Sequence, residues 1–528
     1  MTAERPIILP VPWPTLAGAL LLGAAFAAVL SGTLAQEGTA RLRGTDLTES
    51  SDLLSLGRDR DPGRIVATPG PRVSAEARDR ERLRPGERRT RRAMARRTRP
   101  PATAPVRLPV QTPLVARTVQ GNVQPPLVGL PDPPSPPAPS RPRRRRTAEE
   151  DPYAQLGLRL GGITVLPAIQ QSVGYDTNPN RLSGPHKGST VLRTDAEVRL
   201  QSDWSAHALT GFLRGSYSAY PNVKGADRPE GEGRLALRVD VSRDTQAEIE
   251  GRFVLDTQRP GSPDLNAAVS ERPLVATTGV AAGVTQRFNR LLVGLRGTID
   301  RTVYEDAKLS SGVVLSQSDR DANQYGLRLR AGYELTPGVI PFVEALADTR
   351  VHDIPVDSAG FRRDSDGIGL RAGSTFEITR TLTGEVSGGI VKRSYEDPRL
   401  KDLRGPLVDA AVVWSATPLT TVRLRAQTQI DETTIANSSG ALTQRATLEV
   451  QHDLRRNLSL TGLIGISETD YEGVKLTEET VTAGARLEYK LTRSVAVRAS
   501  FIHERLKSTA PGSDYTANTY LLGLRFNP

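Results

Sequence analysis

The stretch YGLRLRAGY, residues 325–333, decides the fold class. Its odd-numbered positions carry Tyr, Leu, Leu, Ala and Tyr, whereas its even-numbered positions carry Gly, Arg, Arg and Gly. Side chains of a β-strand point alternately to its two faces, so one face of this segment is apolar and the other is cationic. The stretch therefore predicts a β-strand that separates an apolar environment from a charged one.

The same alternation recurs through the C-terminal region of the chain. It is found in LALRVDV at residues 235–241, in VRLRAQ at residues 422–427 and in VTAGARLEY at residues 481–489. A soluble β-sandwich turns its apolar faces inward, whereas a membrane barrel turns them toward lipid and keeps a polar lumen. Alternation predicts an all-β region but leaves both classes open.

The spacing of turn signals favours the membrane barrel. Short turn signals lie at residues 203–204, 242–244, 288–289, 336–337, 379–380, 416–418, 454–455 and 491–492. Longer polar segments lie between them, at residues 176–189, 258–273, 305–318 and 507–513. Short periplasmic turns that alternate with longer outer loops are typical of outer-membrane barrels. We predict a transmembrane antiparallel up-and-down β-barrel over residues 151–528, with about eighteen strands and sixteen as the alternative.

Tyrosines near the ends of the predicted strands suggest two aromatic girdles. Tyr333 and Tyr489 lie near short turns, and Tyr304, Tyr395 and Tyr471 lie near long loops. Amphipathic rings suit the lipid–water interfaces of a barrel. The alternative for each ring is an ordinary cross-strand contact.

The last predicted strand is YLLGLRFNP, residues 520–528. Tyr520, Leu522, Leu524 and Phe526 share one face of it. This segment resembles the C-terminal strand by which outer-membrane barrels meet their assembly machinery, which would then be a partner. Asn527 and the final proline follow Phe526, and this is a departure from the pattern.

The N-terminus predicts export. The apolar run of residues 16–30 is shorter than the roughly 20 residues of a membrane helix. Thr33-Leu34-Ala35 resembles a signal-peptidase site, so residues 1–35 are interpreted as a cleavable signal peptide. An uncleaved inner-membrane anchor is the alternative. Mean hydropathy of −0.36 argues against a bundle of membrane helices.

The basic charge of the chain is confined to one segment. Residues 37–150 hold 24 Arg and 13 acidic residues, whereas residues 151–528 hold 45 basic and 45 acidic residues. Residues 36–150 lack apolar periodicity and are rich in Pro, which predicts a disordered periplasmic arm. Its Arg clusters at residues 88–99 and 141–146 suggest anionic lipid headgroups, lipopolysaccharide, acidic glycans or other components of a polysaccharide-export machine as partners, rather than nucleic acid. A solvated linker is the alternative.

The first strand region carries a family resemblance. LRLGGITVLPAI at residues 158–169 is followed by VGYDTNPNR at residues 173–181, which contains Tyr175, Asp176 and Asn178. This pattern resembles the bacterial outer-membrane family called putative β-barrel porin 2. The resemblance covers residues 151–528. The resemblance implies a link with exopolysaccharide or capsule export. Asp176 and Asn178 suit turn capping, with Ca²⁺ or sugar binding as the alternative.

Charged positions on the polar faces are the candidate lumen lining. The predicted pore-lining residues are Arg328, Arg330, Arg371, Arg423, Arg425, Arg486, Arg498, Glu248, Glu250, Glu344, Glu385, Glu449 and Glu488. Such residues would set pore selectivity. The alternative is a salt-bridged wall that stabilises the barrel and nearly closes it.

The sequence offers little catalytic or metal-binding chemistry. The chain has no cysteine, and its five histidines lack the spacing of metal ligands. His352 beside Asp353 is the one acid–base candidate, but adjacent strand residues point to opposite faces. We therefore expect a non-enzymatic monomer without metal or other cofactor, and the leading hypothesis is a pore for exopolysaccharide export. A general diffusion porin and a non-conducting tether or adhesin scaffold are the alternatives.

Overall fold

The computed structural model describes residues 152–265, 269–379 and 381–528. The eighteen long strands are β2 (Ile163–Asp176), β3 (Ser189–Ser202), β4 (Ala208–Ala219), β5 (Arg228–Asp240), β6 (Thr245–Thr257), β7 (Leu274–Phe288), β8 (Leu291–Tyr304), β11 (Ala322–Tyr333), β12 (Val339–His352), β13 (Ser365–Thr379), β14 (Leu382–Tyr395), β15 (Leu403–Thr417), β16 (Thr420–Asp431), β17 (Gly440–Arg455), β18 (Leu458–Glu472), β19 (Leu476–Lys490), β20 (Val495–Ser508) and β21 (Tyr515–Phe526). The short elements are β1 (Leu158–Leu160), β9 (Ala307–Lys308), β10 (Val314–Leu315) and a 3₁₀ turn at Ser318–Arg320.

The long strands form one closed antiparallel sheet. Each pairs with the long strands before and after it in the chain, and the first and last long strands pair with each other. This closing pair runs from Ile169 opposite Phe526 to Asp176 opposite Thr519. The predicted all-β barrel of eighteen strands is therefore confirmed, and the alternative of sixteen is wrong. Closure leaves the barrel wall without free strand edges.

The two faces of the barrel wall differ in polarity. On β11, Leu327 and Leu329 are 54% and 51% exposed, whereas Arg328 between them is 7% exposed. Since the sheet closes on itself, the exposed face is the outside and the buried face is the inside. Apolar side chains outside and charged side chains inside are the arrangement of a membrane barrel rather than of a soluble sandwich.

The two ends of the barrel differ in the length of their connections. At the turn end, the strands are joined by residues 203–207, 241–244, 289–290, 334–338, 380–381, 418–419, 456–457 and 491–494. At the loop end, they are joined by residues 177–188, 220–227, 258–273, 305–321, 353–364, 396–402, 432–439, 473–475 and 509–514. The closed sheet begins and finishes at the turn end. Strands of 12 to 16 residues exceed the roughly 9–11 that span a membrane.

The predicted girdle of tyrosines is only half right. Tyr333 and Tyr489, near the turn end, are 47% and 43% exposed on the outer face. Tyr304 and Tyr471, near the loop end, are 4% and 3% exposed, and Tyr395 also lies on the inner face. Strand alternation is the reason, because these three residues fall at positions of inward parity. They belong to the interior of the barrel and not to a lipid interface.

Two predictions concern residues outside the described ranges. The signal peptide at 1–35 and the arm at 36–150 both lie there, so they stay predictions. Among the described residues, none belongs to a helix with the length and apolar character needed to cross a membrane.

Candidate functional site

The inner wall carries ion pairs between neighbouring strands. Strand register places Glu344 of β12 directly opposite Arg330 of β11 and Arg371 of β13. The Glu344 side chain is fully buried, and its carboxylate lies 2.7 Å from Nη2 of Arg371 and 3.5 Å from Nη1 of Arg328. Antiparallel pairing of inward-facing positions thus brings guanidinium and carboxylate groups together without any loop.

The same pairing recurs around the barrel. The pairs, each with its shortest N–O distance, are Arg330 with Glu385 at 2.8 Å, Arg423 with Glu449 at 2.7 Å, Arg498 with Glu488 at 2.5 Å, Arg234 with Glu250 at 2.7 Å and Arg296 with Glu248 at 3.6 Å. Arg425 lies on the inner face of β16 with Arg423, and Arg486 lies on the inner face of β19 with Glu488. Of these two arginines, Arg425 is exposed and Arg486 is half-buried. The structure therefore puts all thirteen predicted residues on the inner face. A balanced wall of this kind is polar and offers both hydrogen-bond donors and acceptors.

The family-like motif builds a buried cluster at the loop end. Asp176 ends β2 and is fully buried; its Oδ1 accepts the N–H of Asn178 at 2.9 Å. Arg181 donates from Nη1 to Oδ2 of Asp176 at 2.8 Å and from Nε to Oε2 of Glu504 at 3.2 Å. Tyr220 and Thr519 donate to the same Asp176 carboxylate. The motif thus ties the β2–β3 loop to the last two strands of the barrel.

The side chain of Asn178 also serves the loop. Its Oδ1 accepts the N–H of Leu182 at 3.0 Å, and its Nδ2 donates to the carbonyl oxygens of Leu182 and Thr516. Both polar ends of the amide are therefore used in holding backbone. Tyr175 points the other way and is 48% exposed on the outer face.

The β6–β7 loop, of which residues 258–265 and 269–273 are described, crosses the loop end of the barrel. Arg259 donates to the carbonyl oxygen of Ser513 at 3.1 Å and to Oε1 of Glu478 at 3.3 Å. Ser513 donates from its hydroxyl to the carbonyl oxygen of Gly261 at 3.0 Å. These partners lie on the β20–β21 loop and on β19, so the contacts are made across the lumen.

The same loop also reaches the β16–β17 loop. Oδ1 of Asp264 accepts the hydroxyl of Thr433 at 2.6 Å and the N–H of Thr434 at 2.9 Å. Eight strands separate the two loops in one direction round the barrel and ten in the other. They therefore start from nearly opposite sides of the wall, and their contact spans the opening.

The near side of the β6–β7 loop is held differently. Val269 forms a β-bridge with Leu309, and Leu265, Val269 and Ala307 form a buried apolar cluster on which Leu309 packs. The N–H of Ser270 donates to the carbonyl oxygen of Lys308 at 2.7 Å. The loop thus has an apolar attachment to the adjacent β8–β11 loop and polar attachments to the far side.

A third loop joins this cover. Arg363, in the β12–β13 loop, donates to the carbonyl oxygens of Ser438 at 2.7 Å and Ile435 at 3.1 Å in the β16–β17 loop. It also pairs with Asp357 of its own loop at 2.5 Å. The sequence did not reveal this cover, because polar residues are ordinary in loops and carry no periodicity.

The acid–base candidate is not assembled. Nδ1 of His352 lies 3.1 Å from Oδ1 of Asp364, while Asp353 is paired with Arg301. The described residues include no group of three or more His, Cys, Asp or Glu side chains placed to hold a metal ion.

The geometry and the sequence comparison agree on a class of protein. Residues 151–527 match the family described as putative beta-barrel porin 2, and the chain belongs to this family. It is an outer-membrane β-barrel of the porin kind. No curated protein matches the chain.

Among solved structures, several large outer-membrane barrels align with this chain. The siderophore receptor PiuA from Acinetobacter baumannii aligns at 10% identity and a TM-score of 0.39 over 70% of this chain and 82% of that one. The ferric enterobactin receptor from Pseudomonas aeruginosa aligns at 7% identity and a TM-score of 0.34, over 69% of this chain and 80% of that one. The copper transporter OprC aligns at 9% identity and a TM-score of 0.38, over 70% of this chain and 84% of that one.

Proposed function

We propose that this barrel is a gated outer-membrane pore for an exported polysaccharide, with the β6–β7 loop as its gate. The observation that carries the proposal is that this loop crosses the loop end and is held on its far side by hydrogen bonds and an ion pair. The link with exopolysaccharide export comes from the family resemblance, and the balanced wall of Arg and Glu suits a chain of sugar hydroxyls and carboxylates.

The contacts that close the opening are polar, so the hydroxyl and carboxylate groups of a sugar chain can take their place. Five hydrogen bonds join the β6–β7 loop to Ser513, Glu478, Thr433 and Thr434. Four of these bonds involve a charged group, and such a bond contributes about 1.5–3 kcal/mol net. Release of the far side in water therefore costs on the order of 10 kcal/mol, which contacts between the freed groups and a sugar chain would offset in part, and the apolar attachment at Val269 and Leu309 stays in place as a hinge.

Single-channel conductance of the full chain in a planar bilayer tests this function. The double variant Arg259→Gln, Asp264→Asn removes far-side contacts and is expected to open more often than the unmodified protein. The double variant Arg243→Gln, Asp244→Asn changes the same charges in an exposed turn at the opposite end and is the matched control. An acidic exopolysaccharide added to the bath is expected to block the open state, and a neutral glucan to block it less.

The alternatives give different traces. A steady conductance that neither the gate variant nor the glycan changes would indicate a general diffusion porin. Silence from both the unmodified protein and the gate variant, with the barrel shown to be folded, would refute the pore and favour a non-conducting scaffold.

A further inference from the structure

Four arginines meet at the loop end near the β2–β3 loop: Arg181, Arg228, Arg259 and Arg272. Arg181 is paired with Asp176 and Glu504, and Arg259 with Glu478. The four guanidinium groups therefore share three paired carboxylates, and the excess positive charge falls on the other two arginines.

Arg228 and Arg272 are buried without an ion-pair partner among the described residues. They are 3% and 6% exposed. Each donates from Nη2 to the same acceptor, the carbonyl oxygen of Pro179, at 3.4 Å from Arg228 and 2.9 Å from Arg272. The Nε atom of each is buried and has no hydrogen-bond partner. Two buried donors therefore have no hydrogen-bond partner among the described residues.

The electrostatics of this pair favour an anion as ligand. Burial, together with the nearby charges of Arg228 and Arg181, lowers the pKa of the Arg272 guanidinium well below its usual range. A buried charge without a partner is costly, and a bound anion removes the cost. The planar guanidinium group of arginine can donate two parallel N–H bonds to two oxygens of a carboxylate or phosphate, which no other side chain does as well.

We propose that Arg228 and Arg272 form a binding site for an oxyanion, either a carboxylate or a phosphate group, at the loop end of the barrel. The inference deepens the proposed function, since it rests on a pore that passes an acidic glycan. Arg228 begins β5 in the wall, whereas Arg272 belongs to the β6–β7 loop. An anion held between them links occupancy of the site to the position of the gate.

Isothermal titration calorimetry on the full chain in detergent micelles at 1 M salt tests the site, because salt at this concentration screens attraction to the Arg clusters of residues 88–99 and 141–146 and screens an enclosed pair much less. The probes are inorganic phosphate, a galacturonic acid oligomer and, as a neutral control, a glucose oligomer of equal length. We expect at least one of the two anionic probes to bind and the neutral oligomer not to bind. Binding of phosphate assigns the site to a free or substituent phosphate group, and binding of the uronate oligomer alone assigns it to a sugar carboxylate.

Variants distinguish this site from a structural role of the same residues. Arg272→Gln and Arg228→Gln are each expected to weaken anion binding at least tenfold, while Arg243→Gln in an exposed turn leaves it unchanged. Without anion, Arg272→Gln is expected to melt at the same temperature as the unmodified protein or higher, because an unpaired buried charge has been removed.

Two results would overturn the proposal. One is the absence of heat from both anionic probes, and the other is anion binding that survives both Arg→Gln variants. Calorimetry does not depend on conduction, so the two proposals fail separately. A barrel that binds the anion but does not conduct would refute the proposed transport and support the anion site. A barrel that conducts but does not bind the anion would refute the site and support the transport.

Discussion

At the scale of single residues, Asp176 connects more of the barrel than any other side chain of the motif. Its carboxylate receives hydrogen bonds from Arg181, Tyr220 and Thr519 and from the backbone of Asn178, and it is fully buried. These partners come from three separate parts of the chain. A short motif read as a turn cap therefore also stabilises the closing seam of the barrel.

The substitution Asp176→Asn is expected to destabilise the folded barrel by about 3–5 kcal/mol, because it leaves the buried Arg181 with one carboxylate in place of two. The urea midpoint of the full chain in detergent micelles measures the change. Asp244→Asn, in an exposed turn, removes a carboxylate without a buried partner and should shift stability by less than about 0.5 kcal/mol. Equal midpoints for the two variants would contradict the stabilising role of Asp176.

Asp321, in the β8–β11 loop, predicts a pH dependence. Burial is the main cause that raises the pKa of its carboxyl to about 6, with further contributions from Asp353 and Asp306. A raised pKa in the folded state means that the protonated form is favoured there. The contribution of Asp321 to the free energy of unfolding is therefore full below about pH 4, which is the pKa of this carboxyl in the unfolded chain, and is lost as pH rises through about 6. Tyr304 donates its N–H to this carboxylate, and Arg301 lies 3.9 Å away.

Limited proteolysis of residues 305–321 at pH 5 and pH 8 measures this effect. The unmodified loop is expected to be cleaved severalfold faster at pH 8, where Asp321 is ionised. Asp321→Asn cannot ionise and should be cleaved at nearly the same rate at both pH values, after correction for the protease's own pH profile. A variant that keeps the full difference would show that another group titrates.

At this scale, sequence reasoning located the charged inner face well. Alternation sorted Arg328, Arg330 and Glu344 onto one side, since the side-chain period of a strand is two whatever the fold. It did not reveal that Glu344 lies opposite two arginines, because strand register depends on turn lengths that were uncertain by a residue or two. Arg228 and Arg272 were missed because their proximity depends on the path of two loops.

At the scale of elements, the seam between β2 and β21 depends on one glycine. Gly174 faces β21 so closely that a Cβ atom there would lie 1.8 Å from the carbonyl oxygen of Tyr520. Only a residue without a side chain permits this approach of the two backbones. The seam joins the two ends of the barrel sequence and is therefore the strand pairing with the largest separation along the chain.

Gly174→Ala is therefore expected to impair closure of the barrel. Overpacking of this kind typically costs about 1–3 kcal/mol, and the contact here is with backbone, which cannot move aside. The fraction of full chain that migrates as folded barrel in unheated electrophoresis measures the effect. Gly251→Ala on β6 is the matched control, because a Cβ there meets nothing within 4 Å. If both variants fold equally well, the close approach at Gly174 does not limit closure.

The short turns of the barrel could be predicted from the local sequence, whereas the contacts between its long loops could not. The turns at the turn end lie within a few residues of their predicted places, since Gly, Pro, Asn or Asp marks six of the eight. The β6–β7 loop was recognised as long but not as a cover, because its partners are hundreds of residues away for Arg259 and Asp264. Contacts between loops depend on the size of the closed barrel, which the number and the stagger of the strands set together.

At the scale of the whole molecule, net charge divides the chain into two parts. Residues 151–528 carry 45 basic and 45 acidic residues, many of which neutralise each other inside the barrel. The segment 37–150 carries 24 Arg against 13 acidic residues, without a folded partner predicted for them. The high pI of the chain therefore reports on this segment, and an anionic surface is the partner that its charge fits.

This division predicts that the N-terminal segment binds anionic membranes. Each Arg near an anionic lipid surface contributes about 1 kcal/mol, so the clusters at 88–99 and 141–146 together provide strong attraction at low salt. The full chain in zwitterionic nanodiscs is expected to co-sediment with phosphatidylglycerol vesicles but not with phosphatidylcholine vesicles. Because the Debye length falls from about 10 Å at 0.1 M salt to about 3 Å at 1 M, the binding should be lost at high salt.

A variant with Gln at every Arg of the two clusters should lose this binding, whereas Arg228→Gln and Arg272→Gln should keep it, because a vesicle cannot reach side chains buried at the loop end. The comparison separates two kinds of anion recognition in one chain: a diffuse one that salt screens, and an enclosed one that salt screens much less. Binding that persists in the cluster variant would place the attraction elsewhere. No binding by the unmodified chain would favour a solvated linker, and the charge of the segment would then serve solubility rather than attachment.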